Sequence, residues 1–229
     1  MSPRLRPVVA IDGPAGAGKS TVARHVAEQL GFVLVDTGAL YRTLAWEARK
    51  RGVAWSDGPS LGLLAQGIVA NHDLVLPTDP HARGRVTLAG EDVSEAIRAP
   101  EIGMGASQVS AHPEVRAALL DLQRQAGKDG GVVLEGRDIG TVVFPDAEVK
   151  FFLTARPEVR ATRRYDELVA KGERVSLDAT LEEVRRRDEN DTNRSVAPLR
   201  MADGAILVDS SDRSIDETVA FMVERVRAP

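Results

Sequence analysis

Nine residues set the terms for the rest of this chain: Gly13-Pro14-Ala15-Gly16-Ala17-Gly18-Lys19-Ser20-Thr21, directly after the apolar run Pro7-Val8-Val9-Ala10-Ile11. They match the pattern G-x-x-x-x-G-K-[ST], with a buried strand predicted before it and a helix after it. Glycines let successive backbone N–H groups turn inward around an anion, which then also sits at the positive end of the following helix. Lys19 can reach terminal phosphates from there, and the Ser20 hydroxyl is placed to hold a magnesium ion. A strand, a glycine turn and a helix in this order predict the first unit of a parallel α/β sheet that binds a nucleoside triphosphate.

The remaining apolar runs extend the same design. Val22, Val26 and Leu30 recur at helical spacing and Gly31 ends that helix. Strand candidates at 8–11, 33–35, 132–135, 149–153 and 206–208 alternate with helices, and right-handed crossovers then give a five-stranded parallel sheet covered on both faces. Between about Asp57 and Ala111 the pattern changes. A helical stretch from Leu61 to Val69 leads to two short strands, 73–76 and 85–88, joined by a turn with His81 at its tip, so a small antiparallel α+β insertion is expected. The expected division is a core of 1–62 and 108–229, with a lid near 154–170 and an insertion of 63–107. His72, His81 and His112 lack ligand-like spacing and read as surface residues.

Function-bearing side chains fall at the carboxyl ends of the strands. Asp36-Thr37-Gly38-Ala39-Leu40-Tyr41-Arg42 follows the second strand, where Thr37 could equally be a helix cap and Arg42 a solvated charge. Pro113 opens a helix with an apolar stripe at Val115, Leu119, Leu122 and Ala126, and Arg116 on another face. Glu135-Gly136-Arg137-Asp138-Ile139-Gly140 ends the next strand, and two acids with an arginine in such a turn are unlike packing residues. A helix bearing Arg156, Arg160, Arg163 and Arg164 follows, with Val159 and Val169 on its opposite face. In the helix 177–193, Thr180 and Glu183 suggest a capping box, and Arg187, Asp191 and Arg194 align at i, i+4 and i+7. The last helix has a box at Ser214 and Glu217 and a stripe of Ile215, Val219, Met222, Val223 and Val226.

Composition narrows the function class. A formal net charge of −4 gives no overall positive field for nucleic acid or anionic lipid. Zero cysteines leave no disulfide framework and no thiolate nucleophile, and residues 1–6 with the short apolar run after them are too brief for a signal peptide or membrane span. A cytoplasmic monomer without nucleic-acid or membrane partners is expected. Lys19, Arg42, Arg137 and the later arginines are more positive charge than one triphosphate needs. Transfer between two phosphate-bearing ligands crowds negative charges within a few ångströms, and each needs a cation to offset repulsion. The expected reaction is phosphoryl transfer to an acceptor phosphate, whose oxygen is already largely ionised near neutral pH (second pKa about 6) and needs no general base. A kinase for another small acceptor and a triphosphate-driven switch remain open on these grounds; acceptor-dependent release of the diphosphate separates them.

The phosphate loop, Asp36 to Arg42, Ala106-Ser107-Gln108-Val109, the run from Glu135 to Pro145, and Asn193-Arg194-Ser195-Val196-Ala197-Pro198-Leu199 together resemble the bacterial cytidylate kinase family, over nearly the whole chain and in the same order. The resemblance implies a nucleoside monophosphate kinase fold and transfer of the γ-phosphoryl of ATP to CMP or dCMP with magnesium. Residues 13–21 would hold ATP, with Ser20 on the metal. Arg42 and Arg137 would hold the acceptor phosphate with Arg194 nearby; Ser107, Arg116 and Asp138 would read cytosine; Arg187 and Asp191 would reach the sugar side, with Thr37 also in the acceptor site. Lys19, Arg137, Arg187 and the lid arginines Arg156, Arg160, Arg163 and Arg164 would carry catalysis. Thr37 stands where serine is also common in that family, and Glu135 where aspartate is. The residue types suit the base independently: cytosine needs a carboxylate for its amine and donors for its ring nitrogen and carbonyl.

Overall fold

The computed structural model describes residues 4–76 and 85–228, so His81 and the turn around it lie outside the described residues. In chain order the strands are β1 (Val8–Asp12), β2 (Val33–Asp36), β3 (Leu74–Val75), β4 (Thr87–Leu88), β5 (Glu91–Asp92), β6 (Val132–Gly136), β7 (Val149–Thr154) and β8 (Ile206–Asp209). The helices are α1 (Lys19–Leu30), α2 (Thr37–Lys50), α3 (Gly58–Ala70), α4 (Pro100–Val109), α5 (Pro113–Gly127), α6 (Pro157–Ala170), α7 (Leu177–Asn193) and α8 (Ile215–Arg227).

Five strands form one parallel sheet in the order β2-β6-β1-β7-β8, and the five expected strands are these five. Period-two alternation assigns the side chains to two cores. Val8 and Ala10 of β1, with Val132 and Leu134 of β6, face a cluster completed by Leu40 and Leu44 of α2, Leu61 of α3 and Leu119 of α5. Val9, Ile11, Val133, Phe151 and Leu153 face the other way, onto Val22 and Val26 of α1 and Val219, Met222 and Val223 of α8. Fully burying an aliphatic side chain contributes roughly 1.5–3 kcal/mol, so a sheet covered on both faces resists rearrangement and holds its carboxyl edge rigidly.

The connections leave that edge open. From β1 the chain crosses to β2 at one margin of the sheet, whereas from β6 it crosses to β7 on the other side of β1. Diverging connections at adjacent strand ends create a crevice, and ligands bind there in open α/β sheets. The phosphate loop after β1 and the Arg137-Asp138 turn after β6 therefore become neighbours, although more than a hundred residues separate them.

The small sheet pairs β3, β4 and β5 antiparallel, as expected for 73–76 and 85–88, with β5 as an additional strand. The helices on either side of it, α3 and α4, run through positions 62/63 and 107/108 and are continuous there.

Four local expectations are corrected. Asp36, not Thr37, caps α2, accepting from the Ala39 N–H, and the Thr37 hydroxyl donates to the Glu135 carbonyl oxygen at 2.7 Å. Ser176 caps α7 in place of Thr180 and Glu183; Thr180 donates back to the Ser176 carbonyl, and Glu183 pairs with Arg187. On α6 the inward residues are Arg160, Ala161 and Leu168, while Val169 is exposed. The capping box at Ser214 and Glu217 forms as expected, but Ile215 leaves the apolar stripe and is half exposed.

Candidate active site

A cleft of about 730 Å³ occupies the crevice at the carboxyl edge of the sheet. One wall is the phosphate loop. Gly18 has φ 88° as it enters α1, and a side chain at Gly13 would place its Cβ 1.9 Å from the Leu153 carbonyl oxygen, so the loop packs on β7 only as glycine. The Lys19 ammonium is buried and donates to the Pro14 carbonyl oxygen at 2.7 Å.

The opposite wall is built from arginines held by partners on other elements. Arg42 of α2 donates to Asp36 at 2.5 Å, and Arg137 donates through Nε to Asp191 of α7 at 2.7 Å. Arg116 of α5 pairs with Asp138, whose other oxygen lies 3.6 Å from Arg194. Arg187 bridges from α7 to the Gly103 carbonyl oxygen of α4 at 3.0 Å, instead of pairing with Asp191 on its own helix. Ser107 of α4 completes this wall.

The four arginines expected on one helical face diverge. Arg163 and Arg164 line the cleft, the first donating to the Ser210 carbonyl oxygen at 2.6 Å and the second to Glu167 at 2.9 Å. Arg156 precedes α6, is exposed, and is held by two bonds of 2.8 and 2.7 Å to Asp212 outside the cleft. Arg160 is buried behind the wall, donating to the Ala15 carbonyl oxygen at 3.0 Å and gripping Asp188 of α7 at 2.9 and 2.6 Å. It ties the phosphate loop to α7 and presents no group to the cleft. Helical spacing put these four together; the loop start at Arg156 and the inward turn of Arg160 separate them.

Polar atoms left without partners concentrate at this cleft. Tyr41 Oη, Arg42 Nε, Glu135 Oε1, Arg164 Nε and Arg194 Nη2 are all buried, line it, and make no hydrogen bond. Buried polar groups are nearly always paired, so such a cluster marks where ligand atoms belong. Arg98, Lys171 and Arg213 also reach the cleft, and single arginines and lysines outside any motif gave the sequence no signal for them. Among the described residues His112 is half-buried, with Nε2 2.8 Å from the Trp55 carbonyl oxygen, and no cluster of metal-binding side chains is present.

The model of the cytidylate kinase family matches residues 9–228. The chain belongs to the cytidylate kinase family. It is 51% identical over 219 residues to a cytidylate kinase of Syntrophotalea carbinolica, covering 96% of this chain and 91% of that one. It is 50% identical over 220 residues to a cytidylate kinase of Geobacter sulfurreducens, covering 96% and 92%. A crystal structure of an uncharacterized protein from Eubacterium ventriosum ATCC 27560 shares the fold at a TM-score of 0.51 and 12% identity, over 96% of this chain and 98% of that one. The fold, the family and the phosphotransferase class expected from the motifs are thereby shown.

Burial dominates the electrostatics at the base of the cleft. Burial, with Arg137 nearby, pushes the Lys19 ammonium down to about 7. Burial and the neighbouring Asp36 push the Glu135 carboxyl up to about 7. Asp191 moves the other way: burial opposes the shift, but the charge and hydrogen bond of Arg137 together with Arg194 and Lys19 hold it below the usual carboxylate range. An anion entering beside Lys19 favours its charged form, so ligand binding and proton uptake are linked.

Magnesium fits the donor set here. Ser20 offers a hydroxyl at the loop, and the partnerless Glu135 Oε1 offers a hard oxygen beside it. Few protein oxygens are needed, because this ion keeps several waters and takes substrate phosphates as ligands.

Proposed function

We propose that the cleft transfers the γ-phosphoryl of ATP to the phosphate of CMP or dCMP, giving ADP and CDP or dCDP. The family is that of cytidylate kinases, and the observation that carries the finer reading is the two-walled cleft: a phosphate loop faces a separate array of paired guanidinium groups. One nucleotide needs only the first wall. The second supplies what an acceptor nucleotide requires.

On the donor side, residues 13–21 wrap the phosphates, and Lys19, Arg163 and Arg164 offset charge that spreads over the transferring group. Magnesium held by Ser20, with Glu135 behind it, would add positive charge between donor phosphates. On the acceptor side, Arg42 and Arg137 hold the CMP phosphate beside Thr37, and Asp191 fixes the direction of Arg137. Arg187 and Asp191 reach the sugar. Asp138, placed between Arg116 and Arg194, accepts from the cytosine amine, while Arg116 and Ser107 serve its ring acceptors. Uracil would turn an oxygen to Asp138 and leave it unpaired, at a cost of about 1–3 kcal/mol or more for a charged group. The acceptor oxygen attacks in its ionised form, so positioning and charge stabilisation are the whole of the catalysis. Residues 154–170 act as a lid over ATP and 63–107 as the acceptor-side insertion. The same reading takes the protein as a monomer working in the cytoplasm.

The test is ADP formation with CMP, dCMP, UMP and AMP in turn, with and without magnesium. CMP and dCMP should exceed UMP by at least about tenfold in kcat/KM. ADP release at an equal rate without any acceptor would make the protein a hydrolytic switch, and equal use of all four would break the base-reading assignment.

A further inference from the structure

Asp12 ends β1, immediately before the phosphate loop, and is 3% exposed. Its two oxygens accept separate backbone hydrogen bonds, Oδ1 from the Ile139 N–H and Oδ2 from the Gly140 N–H, each of 2.8 Å. Ile139 and Gly140 open a π-helical turn, Ile139–Val143. The first N–H groups of such a turn have no acceptor within it and need one from outside. The residue at the capping position is Asp138, a type that ordinarily caps with its own carboxylate. Here Asp138 makes no capping bond, and its carboxylate points instead to Arg116 and Arg194. π-Helical turns are rare and occur mostly at functional sites.

We infer that Asp12 is a positioning residue for acceptor recognition: it caps the Ile139–Val143 turn from the neighbouring strand, which frees the Asp138 carboxylate to meet the nucleobase. The inference deepens the proposed function and rests on Asp138 reading cytosine. The geometry serves two ends at once. A carboxylate offers two acceptors for two N–H groups, and its attachment to β1 fixes the base-reading turn relative to the phosphate loop one residue further on. Burial raises the Asp12 carboxyl to about 6, while the two N–H groups and Lys19 oppose that rise, so the turn is what keeps an acid here. A residue needed only for packing has no use for a charge.

The test compares Asp12→Asn, Asp138→Asn and Gly140→Ala, with CMP and UMP as acceptors and saturating ATP. Asparagine at 12 keeps the shape but turns an amino group toward one of the two N–H donors. Asp12→Asn should lower the CMP-over-UMP ratio of kcat/KM by about tenfold through KM for CMP, with the ATP KM within about threefold of the parent. Asp138→Asn should abolish or invert the ratio. If Asp138→Asn keeps the parent ratio, the reading of Asp138 fails and takes this inference with it. If Asp138→Asn loses the ratio while Asp12→Asn keeps it, with CMP and UMP turnover reduced alike or unchanged, Asp12 is structural only and the inference is overturned. Should Asp12→Asn fail to fold, Gly140→Ala decides, because its Cβ would press on the Ala202 Cβ at 3.1 Å and on Lys150 Cδ at 3.3 Å and so shifts the turn that donates to Asp12 without altering a charge. A ratio lowered about threefold supports the cap, and an unchanged ratio refutes it.

Discussion

In the proposed reaction the two walls of the cleft solve the same problem, holding phosphate, by opposite means. The donor wall is largely backbone: the glycine-rich loop of residues 13–21 and one buried ammonium on α1. The acceptor wall is side chains: guanidinium groups from α2, α5, α7 and the turn after β6, each steadied by a carboxylate or carbonyl from another segment. A backbone cradle is specified by a short local sequence and tolerates any triphosphate. A side-chain lattice needs the whole fold to assemble it, and in return it can tell one base from another.

If the contrast is correct, loss of the single buried donor cation should be the most damaging change. Lys19→Met should lower kcat by about a thousandfold, roughly 4 kcal/mol of transition-state stabilisation, while the ATP KM moves less than tenfold because the backbone cradle remains. A collapse of ATP binding with little change in kcat would place the donor wall's work in the lysine alone. Next in size, Arg187→Ala should cut kcat/KM for CMP by about a hundredfold with the ATP KM within threefold, read from initial rates with each substrate varied. Unchanged kinetics would make Arg187 a mere surface partner of Glu183.

The smallest effect concerns stability without nucleotide. Glu135 has a folded pKa raised from 4.5 to about 7. A raised pKa means that the folded state binds more protons than the unfolded chain over that window. The stability this supplies is therefore full below pH 4.5 and is lost as pH rises through about 7. Glu135→Gln lacks this dependence, so the Tm of the parent relative to the variant should fall by about 2–4 °C between pH 5 and 7. A parallel pair of Tm curves would show that Glu135 ionises normally.

The same contrast sets how far the site was legible in advance. Residues 13–21 could be read directly, because the glycines, Lys19 and Ser20 act within one turn of chain. The residues proposed for the acceptor, Arg42, Ser107, Arg116, Arg137, Asp138, Arg187, Asp191 and Arg194, were legible through the family resemblance, and the fold brings all of them to the one cleft. Their partners were not. Helical spacing aligned Arg187 with Asp191, yet Asp191 turns to Arg137, which lies on another element. It also aligned Arg156 and Arg160 with Arg163 and Arg164, although one faces Asp212 and the other is buried behind the phosphate loop. Asp12 gave no signal, since its role depends on a turn 127 positions later.

By itself the sequence determined the five parallel strands, the anion-binding loop and the chemical types needed for two nucleotides, because periodicity, glycine placement and residue chemistry act over a few neighbouring positions. Only the tertiary structure decided which carboxylate steadies which arginine, which cations face the cleft, and which aspartate caps the turn after β6. Those choices are made by strand order and helix packing, which bring distant charges within about 3 Å of one another, and contacts at that range leave no trace in local spacing.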